Sequence, residues 1–243
     1  MRFLTVFAAI SALFGQQAPN PDWARLSRFA PDNAKLAAPG ADEIRVVFMG
    51  DSITEGWGRR GSEFFPGKPY VNRGISGQTA PQMLVRFRQD VVDLKPGIVL
   101  ILAGTNDVAG NTGPETPEMI QGFLMSMVDL ARANGIEPVL CSIPPAADFP
   151  WKKGLEPAPK IQALNKWMKE YASLHVIPYV DYYSALQDGN GGMKPEYSED
   201  GVHPTKAGYD VMAPLAERGI TEATNNRRAR LRRNLAGRPT SPK

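Results

Sequence analysis

The chain has 243 residues, of which 42% are hydrophobic and 22% charged. That is the balance of an ordinary soluble globular protein with room for one sizeable α/β core. Its single cysteine, Cys141, excludes an intramolecular disulfide and a cysteine-based zinc site. The net charge of +3 hides an asymmetry, because residues 225–243 carry Arg227, Arg228, Arg230, Arg232, Arg233, Arg238 and Lys243 without one acid. Those residues contribute +7 and leave −4 on residues 1–224. The body has no basic stripe with interleaved aromatics, which argues against nucleic-acid binding as the main function.

Residues 1–18 read as a secretory signal peptide. Arg2 supplies the positive end, Phe3 to Phe14 the apolar stretch, and Gly15 or Ala18 a small residue for cleavage. The stretch is too short to span a membrane. Residues 19–43 form a lead-in in which Trp23, Leu26 and Phe29 recur at three-residue spacing, as in one short helix packed on the domain. Residues 44–224 form the domain proper. Its first strand is Ile44–Gly50, and Tyr70–Asn72 is a second. A helix follows over 79–93, with Pro81 in its first turn and Met83, Leu84, Phe87 and Val91 on one face. Ile98–Leu102 is wholly apolar, the pattern of a strand buried on both faces. Residues 117–134 are helical, with Met119, Ile120, Phe123, Met127 and Leu130 toward the core. Ile136–Ile143 is a fourth strand that buries Cys141, 160–174 a helix, Val176–Val180 a fifth strand, and Thr205–Ala223 a last helix. Residues 225–243 read as a basic, solvated, disordered tail, with docking to an anionic polymer or membrane surface as the functional alternative.

Alternating strands and helices at this spacing predict a parallel sheet with helices on both faces. The expected fold is a three-layer α/β/α, flavodoxin-like one, with a five-stranded parallel sheet in the order 2-1-3-4-5. That order sends Ser52, Gly77 and Asn106 to one edge, the C-terminal ends of strands 1, 2 and 3.

A serine there is a poor nucleophile until a base takes its proton. The chain has two histidines. His175 ends a helix and reads as structural. His203 follows Asp200 by three residues, so the carboxylate can hold Nδ1 and leave Nε2 for Ser52. Taken alone, Asp200-Gly-Val-His203 reads equally well as a loop that caps the following helix. Donors for an oxyanion are available from the Ser52 N–H, from Gly77 in a strand-to-helix turn and from the Asn106 side chain. Asp51 and Asp107 read as supporting groups, and Trp57 and Trp151 as candidate pocket walls.

Four blocks then coincide: Gly50-Asp51-Ser52-Ile53, Gly77 within Asn72-Arg-Gly-Ile-Ser-Gly77, Gly104-Thr-Asn106-Asp107, and Asp200-Gly-Val-His203. In this order they resemble the motifs of the SGNH, or GDSL-type, esterase and lipase family, with Ile53 where that family carries Leu. The resemblance implies Ser52 as nucleophile, Asp200 and His203 as the rest of a triad, and Ser52, Gly77 and Asn106 as the oxyanion hole. It implies no cofactor, and no metal motif is present. The Gly-Asp-Ser-Ile-Thr-x-Gly-Trp form is similar to platelet-activating-factor acetylhydrolase-like and carbohydrate acetylesterase branches. The expectation is an extracytoplasmic hydrolase of small-molecule or carbohydrate acetyl esters. A lysophospholipase or thioesterase, or a non-catalytic glycan-binding module on the same fold, remains open from sequence.

Overall fold

The structure, a computed structural model, describes residues 22–236. The expected leader, residues 1–18, lies outside the described residues, as do 237–243 of the tail. Five parallel strands, β1 (Val46–Gly50), β2 (Tyr70–Gly74), β3 (Ile98–Leu102), β4 (Glu137–Cys141) and β5 (Tyr179–Val180), form one sheet in the order β2-β1-β3-β4-β5. The helices are α1 (Ala30–Lys35), α2 (Ser52–Gly56), α3 (Ala80–Asp90), α4 (Thr105–Val108), α5 (Pro117–Ala133), α6 (Pro157–Leu174), α7 (Tyr182–Leu186) and α8 (Lys206–Ala236). The fold class and strand order are those expected.

The pleat of each strand sends alternate side chains to opposite faces, which makes two cores. Val47 and Met49 of β1 and Val99 and Ile101 of β3 pack with Phe87 of α3, Met127 of α5 and Met168 of α6. Val46, Phe48, Ile98 and Leu100 pack instead with Tyr182 of α7 and Tyr209 and Met212 of α8. Cys141 is buried in this second core, which pushes its thiol up to about 12, as expected for an inert core residue. Local chemistry fixes the helix starts. Thr79 and Gln82 form a capping box for α3, and Thr116 accepts from the N–H of Met119 before Pro117 opens α5.

Four expectations change. The lead-in helix is Ala30–Lys35; Trp23 and Leu26 lie in the turns before it and are exposed, while Phe29 is buried between the guanidinium groups of Arg28 and Arg73. Met119 faces solvent, since only Ile120 and Met127 of its predicted stripe are fully buried. The fifth strand is only Tyr179–Val180, because Val176 takes the left-handed conformation (φ +54°) that ends α6, and the Ile177 N–H donates back to Ala172. The basic tail is not disordered over 225–236. It continues α8, because Arg, Ala and Leu are good helix formers and cations suit a helix C-terminus. Arg230 is tied to the sheet floor, donating to Glu137 Oε1 (2.7 Å) and to the carbonyl of Gly135 (3.0 Å).

One buried cation organises the end of the sheet where the site lies. Arg86 of α3 is fully buried. It donates to the carbonyls of Gly50 (3.1 Å) and Arg73 (2.8 Å), to Gln78 Oε1 (2.5 Å) and to Asp90 Oδ2 (3.1 Å). Burial draws its pKa down to about 10, with Asp90 limiting the fall, so it remains charged at neutral pH. Arg86→Ala would leave Asp90 buried without its counter-charge. The expected loss of unfolding free energy is about 3–5 kcal/mol by denaturant titration. A loss no greater than that of a surface pair, about 0–1 kcal/mol, would count against this role.

Candidate active site

The C-terminal edge of the sheet builds the site. β1 ends at Gly50, and Asp51 accepts the Ile53 N–H (2.9 Å) to start α2, whose first residue is Ser52. The last residue of β2 lies hard against this turn. A Cβ on Gly74 would stand 2.1 Å from the Glu55 nitrogen, so only glycine fits there.

His203 arrives from the loop before α8. Asp200 Oδ1 collects the N–H groups of Val202 (3.0 Å) and His203 (2.8 Å), and the Ser198 hydroxyl lies between it (3.2 Å) and the His203 carbonyl (2.9 Å). Its Oδ2 lies 2.6 Å from His203 Nδ1, and His203 Nε2 lies 3.0 Å from Ser52 Oγ. With a neutral imidazole, Nδ1–H donates to the carboxylate and Nε2 accepts from the serine hydroxyl. This is the hydrogen-bond chain that lets a base withdraw a serine proton.

Ser52, Gly77, Asn106, Asn111, Trp151 and His203 line one open cavity of about 600 Å³. Gly77 has a left-handed backbone (φ +79°) that a side chain would strain. Among the described residues, the N–H groups of Ser52 and Gly77 have no protein acceptor. Asn106 Nδ2 donates to the Gln78 carbonyl (3.0 Å) and, over a longer 3.3 Å, to Asp51 Oδ2.

The site therefore unites the residues that four separated sequence blocks supplied. The GDSL-like lipase/acylhydrolase family matches over residues 48–211, spanning all four. This chain belongs to that family. A GDSL-like lipase from Bacteroides thetaiotaomicron VPI-5482 is 48% identical, with 82% of this chain and 98% of that one covered and a TM-score of 0.79. Esterase TesA of Pseudomonas aeruginosa is 30% identical over 56% of this chain and 62% of its own length. An acetylxylan esterase of Geobacillus stearothermophilus is 26% identical over 70% of this chain and 90% of its own. The chain spans 58% of a Bacillus subtilis lipoprotein that it also resembles at 29% identity, so it matches about three fifths of the length of two of these curated relatives.

Not every residue nominated from sequence reaches the cavity of this GDSL-family chain. Trp57 does not wall it. It is 4% exposed and packs into the second core against Phe48, Phe65 and Tyr209, because its place after the short α2 turns it under the sheet. Trp151 does line the cavity, stacked on Phe149 with its ring centroid 6.1 Å from that of His203. Asp107 stands one step behind, accepting the Ala80 N–H (2.8 Å) at the start of α3. Burial, with Glu115 beside it, holds its carboxyl well above the usual range. His175 is remote, closing α6 beside Tyr171. Sequence reasoning missed Asn111, whose amide donates to Asn106 Oδ1 (2.8 Å) and whose Oδ1 accepts from Trp151 Nε1 (3.3 Å). In a Gly-Asn-Thr-Gly stretch it carries only a turn signal. It also missed Ser198, whose hydroxyl lies between the His203 carbonyl and Asp200.

The two site carboxylates are tuned in opposite directions. Partial burial would raise Asp200, but bonds from the His203 N–H, its imidazole and the Val202 N–H outweigh it and pull the carboxyl down to about 2. Asp51 is fully buried, which raises it to about 6, with the Ile53 N–H and the charge of His203 limiting the rise. An acid whose folded pKa exceeds its unfolded one binds more protons in the native state. Between about pH 4 and 6 its contribution to stability therefore falls as pH rises. Denaturation at a series of pH values should show wild-type stability declining across this window relative to Asp51→Asn. A difference between the two proteins that stays flat with pH would show that Asp51 titrates normally.

Proposed function

We propose that this chain is a serine esterase that removes short acyl groups, acetyl foremost, from carbohydrate or small-alcohol esters. The observation that carries this reading is the continuous 2.6 Å and 3.0 Å chain from Asp200 through His203 to Ser52, ending in a cavity with two unpartnered N–H groups. Ser52 Oγ attacks the ester carbonyl while His203 Nε2 takes its proton. Asp200 holds the imidazole in the needed tautomer and stabilises the imidazolium. The oxyanion is received by the N–H groups of Ser52 and Gly77 and by Asn106, whose longer contact to Asp51 is the one to yield. Collapse expels the alcohol, which takes the proton from His203. Water, activated by the same imidazole, then releases the acid.

The cavity wall supports a short acyl group. A buried methylene gains about 0.8 kcal/mol from an apolar channel. Here Trp151 is the one large apolar side chain on the wall among the described residues; the rest are Ser, Gly, Asn, His, Glu and Arg. The acetylxylan esterase relative is consistent with an acetylated carbohydrate as substrate. The leader-like residues 1–18 and the lipoprotein among the relatives support an extracytoplasmic location. Among the described residues, no helix is long and apolar enough to cross a membrane.

Ser52→Ala should abolish hydrolysis of p-nitrophenyl acetate and labelling by a fluorophosphonate. Full activity in that protein would sink the mechanism. Asn106→Ala should lower turnover by about 10²–10³, the scale of one oxyanion donor. Across p-nitrophenyl esters of rising chain length, kcat/KM should drop beyond butyrate. A flat or rising profile would favour a lipase or thioesterase.

A further inference from the structure

We propose that the mouth of this cavity selects esters whose alcohol portion carries a negative charge, a carboxylate or a phosphate. The inference rests on the esterase reading above and narrows its substrate class. The turn after α2 places two arginines side by side: the N–H groups of Arg59 and Arg60 both donate to the Gly56 carbonyl (2.9 and 3.1 Å). Both residues line the cavity with Ser52 and His203. The Arg60 side chain rests over Gly56, where a Cβ would meet both its Cδ and its Nε at 3.3 Å.

Nearby carboxylates do not neutralise this pair. Glu55 bonds Arg59 (2.9 Å), lies 3.5 Å from Arg28 and accepts from both the N–H and the hydroxyl of Ser76. Burial would raise Glu55, but those Ser76 bonds and the two arginines outweigh it, so it stays ionised and occupied. Asp200 is committed to His203. Lys206, which follows the His203 loop, is matched by Asp210 (2.7 Å). Among the described residues, Arg60 has no carboxylate partner. A positive mouth on a body whose residues 1–224 carry −4 is a local arrangement, and such a mouth draws anionic substrates toward the nucleophile. Trp151 lines the same cavity and is 44% exposed, offering a flat face for the apolar side of a sugar ring. The two features together suit an acetylated uronate or sugar phosphate.

The test compares four substrates: an O-acetylated methyl glucuronoside as free acid, its neutral C6 methyl ester, an O-acetylated hexose phosphate, and p-nitrophenyl acetate. In the wild-type protein, kcat/KM for the free acid, the phosphate or both should exceed that of the methyl ester by about threefold to tenfold, mainly through KM. The arm with the larger ratio identifies the anion. Added salt should shrink that ratio. Arg60→Ala should bring it toward one, and Arg60→Lys should keep most of it. A ratio of one in the wild type, or a ratio that Arg60→Ala leaves unchanged, overturns the charge selection while normal p-nitrophenyl acetate hydrolysis leaves the esterase reading standing. A wild-type protein inert toward p-nitrophenyl acetate overturns both.

Discussion

The buried guanidinium of Arg86 is the constraint on which the working edge of the sheet depends. A carbonyl at the end of a parallel strand has a second lone pair beyond its ladder bond; that of Gly50 already accepts the Ile75 N–H (3.0 Å) and has room for one more donor. At the ends of β1 and β2, Arg86 gives one donor group to Gly50 and Arg73 at once, and its planar fork reaches Gln78 and Asp90 as well. A lysine at this position has no such fork. Asp90 balances the charge and is itself held by the Asn33 amide (2.7 Å), which ties the N-terminal segment to the same hub. Gln78 passes the constraint on: its amide donates to the Ala24 carbonyl, and its own carbonyl accepts from Asn106. Two hydrogen bonds thus separate the hub from a nominated oxyanion donor. The turn that presents Gly77 lies between Gln78 and the end of β2.

The same network explains which parts of the molecule were legible in the sequence. Strands wholly apolar, such as Ile98–Leu102, announced themselves, and the order of the sheet followed from alternation with helices. The meeting of Ser52, Asp200 and His203 was legible because each nominated role restricts the residue type, and two histidines left little choice. Arg86, Gln78 and Asn111 were not, because their meaning is entirely tertiary: Arg86 sits on a helix where Arg reads as surface. Trp57 failed for the converse reason. A tryptophan beside a motif suggests a wall, but one residue of rotation about α2 decides between cavity and core. Val176 misled through propensity, since a β-branched residue reads as strand and here occupies the left-handed end of a helix (φ +54°). The tail misled through composition, since a run of arginines reads as solvated unless the partners that fix it, here Glu137 and Gly135, are known.

Asn106 illustrates how the site is held ready without being closed. Both hydrogens of its amino group have protein acceptors, and its own oxygen accepts from Asn111. The side chain is therefore fixed in place before any ligand arrives, which is the condition for electrostatic preorganisation. The bond to Asp51 is the longer of the two, 3.3 Å against 3.0 Å to the Gln78 carbonyl. On the esterase reading, a developing oxyanion competes for that hydrogen against the longer contact. Asp51 thus orients the amide without holding it too tightly.

The electrostatics of the two ends of the sheet then act apart. The arginines of α8 lie by the starts of the strands, with Arg230 on Glu137 and Arg227 beside Gly97. Ser52 lies past their other ends, and a five-residue strand alone spans about 17 Å. At 0.1 M salt, charges more than about 10 Å apart in solvent are largely screened. A sequence pI of about 9.0 thus says little about what a substrate meets at the mouth. There the sign is set by Arg59 and Arg60 against the one occupied carboxylate of Glu55. The excess charge of α8 is in part structural: it complements the helix C-terminus and holds the sheet floor. Charge selection at the cavity, on this layout, is a property of the two-residue turn after α2 and would survive loss of the tail.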